Sequence, residues 1–355
     1  MYYRKTLRIS IVFVYLIIVA GAVVRMTGSG MGCPDWPQCF GYLIPPTTAA
    51  EIEWQPQYDY EEGQIIIVNE SLRIAPSDFV SGPVYNEANW QTYDKHDYAK
   101  FNVWNTWIEY INRLVTALAG IPMLLMFIFS FWYWKGKPGL IFASFLVLPL
   151  MGFQAWLGKL VVDSNLFPVK ITIHMLAALV ILALLLYLWY RYQLNERAQE
   201  RSSLLPRHFV FNAKFRNLMV VAVILTLVQV ALGTQVRQYV DERVAAVGYD
   251  ARSQWLNPVT LWFYIHRSFS IIITLLALYL YWLDRKKVLG HQPMLKWVLI
   301  FLGIEVLTGI AMYYVDFPFG TQPIHLVLAT LLFGAQFSIL LRSRKVNASI
   351  PLHRL

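Results

Sequence analysis

Three short tracts in this 355-residue chain each place one histidine near the start of a long apolar run: Lys170-Ile-Thr-Ile-His174, Tyr264-Ile-His-Arg267 and Gln322-Pro-Ile-His325. A fourth, Glu109-Tyr-Ile-Asn-Arg113, looks like the second with Asn112 where His266 stands. Histidine within a membrane-spanning segment is costly and usually functional, although a hydrogen-bonded structural role is the plain alternative. Two imidazoles from facing helices at one depth are what axial ligation of a haem iron requires. Zinc fits less well, because two histidines leave its tetrahedral set incomplete. His266 and His325 therefore read as the ligands of one porphyrin iron. His174 faces Asn112, a poor iron ligand, and reads as a second site held from one side. The first of these sites suits a permanent electron carrier. The second is open enough for an iron porphyrin to enter, react and leave.

One carboxylate accompanies the second site. Glu109 lies three residues before Asn112 and four before Arg113, and such spacings share a helical face. The corresponding position in the other half is Phe263. Glu109 is thus the candidate acid, base or cation-stabilising group, and a buried structural pair with Arg113 is the alternative. Arg25, Arg113, Arg237 and Arg267 recur near the same membrane surface. Guanidinium suits bidentate contact with a haem propionate, most of all at Arg113 and Arg267; interface snorkelling would also account for them. Gln154, Gln229 and Glu305 are candidates to point inward behind the ligands. His96, His208, His291 and His353 fall in polar loops or the tail and are not read as ligands.

These positions need a membrane scaffold. The chain is 57% hydrophobic and 14% charged, with a mean hydropathy of +0.47; soluble domains are about 25% charged. A spanning helix takes roughly 20 mostly apolar residues, and eight stretches qualify: 9–24, 106–132, 139–158, 171–190, 216–234, 259–283, 295–315 and 323–341. The first follows Arg4, Lys5 and Arg8 as a signal peptide would, but it ends in Gly21-Ala-Val-Val-Arg25 without a small-residue cleavage pattern, so it reads as a helix. The formal net charge of +9 does not point to nucleic acid. Most of the 30 basic residues sit in alternate short connections, which places both termini in the cytoplasm. The histidine tracts then face the outer side.

The order of motifs repeats. Gly21-Ala-Val-Val-Arg25 corresponds to Gly233-Thr-Gln-Val-Arg237, and Gln154 with Gly158 to Glu305 with Gly309, each pair ahead of a histidine helix. Four spans per copy give both copies one orientation, so the expectation is two tandem four-helix bundles related by an axis along the membrane normal. The halves are 1–190 and 216–355, joined by a cytoplasmic linker at 191–215. Glycine at the end of each odd helix allows close approach of a neighbouring helix or of a flat ligand. The long outer segment 26–105 should hold a small subdomain, with a strand at Gln64-Ile-Ile-Ile-Val68 and Trp90, Tyr93, Tyr98, Phe101, Trp104 and Trp107 as interface aromatics. Cys33 and Cys39, the two cysteines, bracket a short loop there. They read as a loop staple or a redox pair, and not as a metal site.

Taken together, Gly21 to Arg25 with the following Met-Thr-Gly-Ser-Gly-Met-Gly-Cys33-Pro-Asp-Trp-Pro-Gln-Cys39, Glu109 to Arg113, His174, His266-Arg267 and His325 resemble the heme A synthase family of cytochrome oxidase biogenesis. The resemblance extends over all eight spans. It implies oxidation of the C8 methyl group of haem O to a formyl group, giving haem A through an alcohol. It implies haem b on His266 and His325, with Arg267 and Arg237 nearby. It also implies substrate haem O at His174, Asn112 and Arg113, catalytic Glu109, and a disulfide between Cys33 and Cys39. Haem O synthase, oxidase assembly factors and an electron donor are the implied partners, and a bacterial cytoplasmic membrane is the implied location. Two features depart from the family pattern: Asn112 replaces the usual histidine, and residues 238–258 lack a second cysteine pair. A haem-bearing electron-transfer protein and a haem transporter are the competing readings. The first would spread its ligands across the membrane, and the second would line a polar path to both faces.

Overall fold

The computed structural model describes residues 2–94, 100–164, 166–199 and 209–345; His96, Tyr98, His208 and His353 lie outside them. Eight long helices dominate: α1 (Tyr2–Thr27), α2 (Val103–Ser130), α3 (Pro138–Val162), α4 (Pro168–Gln199), α5 (Ala213–Val247), α6 (Leu261–Lys287), α7 (Gln292–Tyr314) and α8 (Thr321–Arg342). All eight are long and apolar enough to cross a membrane, where a helix satisfies every interior backbone group within itself. The protein is an all-α, multi-pass membrane protein. Helix starts follow capping rules: Asn212 accepts from Phe215 N–H at 2.9 Å, and Thr260 from Phe263 N–H at 3.4 Å. Arg285, Lys286 and Lys287 end α6, where cations suit the helix dipole.

The apolar stretches lie inside longer helices. The largest excess is in α5, which continues from 234 to Val247. Apolarity stops there, but helical hydrogen bonding does not. Arg237 pairs with Asp241 at 2.6 Å and Gln238 bonds Glu242 at 2.7 Å, and such i,i+4 pairs support a solvated helix.

The chain forms two compact units. The larger comprises residues up to Ile18, Ala119–Gln154 and Thr172 onward. Its core joins Tyr3, Leu7 and Val14 of α1 to Met123 and Met126 of α2, Val147 of α3, and Leu182 and Leu185 of α4. Within it α5 packs on α6 and α8, and α7 on α6 and α8, closing a four-helix ring. Packing in lipid depends on close contact and interhelical hydrogen bonds. Tyr3 bonds Ser144 at 3.0 Å, Thr226 donates to Gln336 at 2.8 Å, and Tyr15 lies where any side chain on Gly334 would go.

The smaller unit, Val19–Leu118 with Ala155–Ile171, holds the long loop. Strands β1 (Asp59–Tyr60) and β4 (Phe79–Val80) pair, and β2 (Ile65–Val68), β3 (Ser71–Ile74) and β5 (Gln91–Thr92) form a second sheet. The expected strand is β2. It turns into β3 through Asn69 and Glu70, both at positive φ, as a two-residue hairpin turn of the I′ type requires. Side chains alternate faces along a strand, so Ile65 joins Cys33, Cys39, Phe40 and Leu72 while Ile66 joins Tyr60, Ala75 and Trp90. Trp90 is therefore core of this subdomain and not an interface aromatic. Its ring meets Tyr60 edge-on at 4.9 Å, whereas Trp104 stays exposed.

Candidate functional site

His266 on α6 and His325 on α8 lie with ring centroids 6.3 Å apart. Both line one cavity with Gln229, Arg267, Glu305 and Tyr313. Each ring lies over a glycine: a Cβ on Gly233 would meet the His266 ring at 3.0 Å, and one on Gly309 the His325 ring at 3.8 Å. Gly233, in the middle of α5 because that helix runs on past its apolar stretch, and Gly309, near the end of α7, thus make room for imidazoles. Glu305 Oε2 and Thr308 Oγ1 each lie 2.9 Å from His325 Nδ1. From α5, Gln229 Nε2 donates to the His266 carbonyl at 3.0 Å.

The same device recurs on α3 and α4, where Gln154 Nε2 donates to the His174 carbonyl at 2.9 Å. Gln154 Oε1, His174 Nδ1, Gln229 Oε1, His266 Nδ1 and Glu305 Oε1 are all buried without a hydrogen-bond partner among the described residues. Buried polar atoms are seldom left so, and their gathering around the histidines marks places built for a polar or metal-bearing ligand. An imidazole nitrogen bonds a divalent metal at about 2.0–2.1 Å and sits roughly 1 Å from its ring centroid, so two axial imidazoles set their centroids roughly 6 Å apart. The His266–His325 separation fits a haem iron. Among the described residues no group of three or more His, Cys, Asp or Glu could hold a bare metal ion.

In the smaller unit, Glu109 is buried at 3% exposure. Its Oε1 accepts from Arg113 at 2.6 Å and its Oε2 from the Cys33 N–H at 2.9 Å. Arg113 also donates to the carbonyls of Asp35 (2.6 Å), Gln38 (2.7 Å) and Cys33 (3.3 Å). Its guanidinium is therefore spent on the loop and on Glu109, and the buried-pair alternative describes its geometry. Cys33 and Cys39 form a disulfide. Asp35 folds the turn between them by accepting from Phe40 and Gly41 N–H. Burial pushes its carboxyl above the usual range, against the pull of those bonds and of Arg113. Thr106 Oγ1 donates to the Gly32 carbonyl at 2.8 Å, and Asn112 Oδ1 lies 3.9 Å from where a Gly21 Cβ would be. Asparagine therefore meets glycine on α1 and α2 as histidine does on α5 and α6.

The model of the COX15-CtaA family, described as cytochrome oxidase assembly protein, matches residues 4–74 and 82–337. The chain belongs to this family. Among curated relatives it is similar to the heme A synthase of Wolbachia pipientis wMel, 23% identical with 95% of this chain and 91% of that protein covered. It is also similar to that of Flavobacterium johnsoniae, 21% identical over 94% and 95%. A match to the Shewanella oneidensis enzyme is 28% identical but covers 52% of this chain and 44% of the relative.

Several residues of this COX15-CtaA member acquire roles that spacing alone left open. Gln154, Gln229 and Glu305 each stand four residues before a glycine, the signal that they share its helical face. Thr308 gave no signal, because threonine is common in helices and bonds its own backbone here. Arg237 bonds Gln322 of α8 and pairs with Asp241. Arg267 lies over the Phe263 and Tyr264 rings, 5.9 and 5.3 Å from their centroids. His291 caps α7 between the rings of Phe209 and Phe215, at 4.7 and 5.0 Å. Burial first, and Arg342 second, push it down to about 4, so it is neutral and packed.

Proposed function

We propose that this protein is an enzyme that oxidises the C8 methyl group of haem O to a formyl group, giving haem A through a hydroxylated haem. Membership of a family whose relatives are named heme A synthase supports the reading. The single observation that carries it in this chain is the His266–His325 pair, two imidazoles at iron-ligating separation over glycine floors. These residues would hold a resident haem b, with Arg267 and Arg237 near its margin. When bound, that haem supplies one-electron chemistry between ferric and ferrous iron. The protein positions, shields and tunes it.

His174 would take the iron of the substrate haem O, and Asn112, standing where the repeat has His266, would supply no imidazole to it. Glu109 is the acid–base group. Its buried carboxylate exchanges the Cys33 N–H or the Arg113 partner for a substrate proton, or faces positive charge developing at the oxidised carbon. Arg113 and the Cys33–Cys39 loop hold that carboxylate in one orientation. Haem O arrives from the enzyme that makes it and haem A leaves toward oxidase assembly factors; an external oxidant of the dioxygen class supplies the oxygen atom, and reducing equivalents come from a separate donor. The distribution of basic residues supports cytoplasmic termini and outward-facing haem sites in a bacterial cytoplasmic membrane.

The test is reconstitution of the purified protein with haem O, a reductant and dioxygen as oxidant, followed by mass analysis of the extracted haems. A formyl-bearing haem is expected, preceded by the alcohol. Unchanged haem O from a preparation that carries its own low-spin haem would end the reading.

A further inference from the structure

The two imidazoles between α6 and α8 are not equivalent. His325 Nδ1 sits 2.9 Å from both Glu305 Oε2 and Thr308 Oγ1. The Thr308 hydroxyl already donates to the carbonyls of Ile304 and Glu305, at 2.9 Å each, so toward His325 its oxygen accepts. Two acceptors converge on one ring nitrogen. That fixes the Nδ1–H tautomer and leaves Nε2 as the nitrogen with a free lone pair. His266 Nδ1, by contrast, is buried with no hydrogen-bond partner among the described residues.

Glu305 itself is 8% exposed, and its second oxygen is buried and unpartnered. Among the described residues the hydrogen-bond partner of its carboxylate is His325. The corresponding residue of α3 is Gln154, a neutral amide that donates to the His174 carbonyl and leaves the His174 ring nitrogen without a partner. The chain thus carries its own internal contrast: a carboxylate behind one histidine and an amide behind another.

We infer that Glu305 is a positioning residue that tunes the resident haem by holding the Nδ1 proton of His325. The inference rests on the reading that His266 and His325 bind a haem. A carboxylate behind an axial imidazole raises the basicity of the ligating nitrogen. It also places negative charge near the iron, where low dielectric strengthens its effect. Ferric haem carries one more positive charge than ferrous haem, so both effects favour the ferric form and lower the reduction potential. The resident haem becomes a stronger electron donor than one whose ligands lack this partner. The assignment concerns orientation and potential, through the His325 ring and not through contact with substrate.

Full-length protein, purified with its haem, is titrated potentiometrically, and its ferric form is examined by electron paramagnetic resonance. Glu305→Gln is expected to shift the ferric–ferrous equilibrium at least tenfold toward ferrous, about 59 mV upward for one electron, and to move the low-spin ferric signal. Glu305→Asp keeps the charge and is expected to stay nearer the unmutated potential. A Gln variant at the unmutated potential overturns the inference. So do Gln and Asp variants that behave alike, in potential or in losing haem, because charge is then not what matters. Failure of the underlying reading looks different: the unmutated protein would hold no haem, or its low-spin signal would survive His266→Ala and His325→Ala.

Discussion

Gln154 behind His174 and Glu305 behind His325 hold matching places on α3 and α7, yet one binds a backbone carbonyl and the other a ring nitrogen. Position 109 inverts the contrast: Glu109 belongs to α2, and its counterpart on α6 is Phe263. Glu109 and Glu305 are thus both buried carboxylates, but they stand at different places in the order of motifs. Glu305 is bonded to the His325 ring. Glu109 is bonded to the loop, through Cys33 N–H and Arg113. On the proposed function, a carboxylate bonded to an iron-ligating imidazole serves the resident cofactor, whereas one bonded to the loop is left to serve the substrate. On that reading, the exchange of places separates the cofactor half from the reactive half.

The sharpest way to break this comparison is to remove the histidines one at a time. His266→Ala and His325→Ala are each expected to lower b-type haem in the purified protein at least tenfold, with His174→Ala leaving it in place. Equal pigment content in all three would erase the distinction. Glu109→Gln is expected to retain haem but slow formation of oxidised haem by roughly 100-fold, the lower range for losing a general acid or base; product mass analysis reads this directly. Normal turnover in that variant would move the reactive group elsewhere.

Smaller effects refine the picture. A methyl on Gly233 would meet the His266 ring at 3.0 Å, but one on Gly309 would reach the His325 ring at 3.8 Å, an ordinary contact. Gly233→Ala should therefore reduce haem content several-fold and Gly309→Ala leave it nearly unchanged, as absorbance per protein would show. Cys33→Ser opens the loop that donates to Glu109. The chain-entropy estimate for so short a loop is about 2 kcal/mol, read as earlier thermal loss of protease resistance in the loop subdomain. If the disulfide acts only as a staple, turnover should fall in step with that loss and no further.

Much of this was legible in the residues. Apolar run length is a local property, and it placed all eight helices; the excess of α5 escaped because hydropathy ends where Arg237 begins, while paired charges let the helix continue. The strand at Ile65 to Val68 and the short cysteine loop were equally local. Trp90 was misread, since an aromatic near a span looks alike whether it faces lipid headgroups or a small core.

By itself the sequence determined the number of spans, the histidines at the starts of the even helices and the glycines that match them. Only the tertiary structure decided that Arg113 is committed to the loop, that Gln229 and Gln154 serve backbone carbonyls, and that Glu305 and Thr308 serve a ring. Those choices depend on how each helix is rotated about its axis against its neighbour. A polar side chain in an apolar environment takes whichever partner that rotation brings within reach, and nothing in the spacing along one helix encodes the rotation of the next.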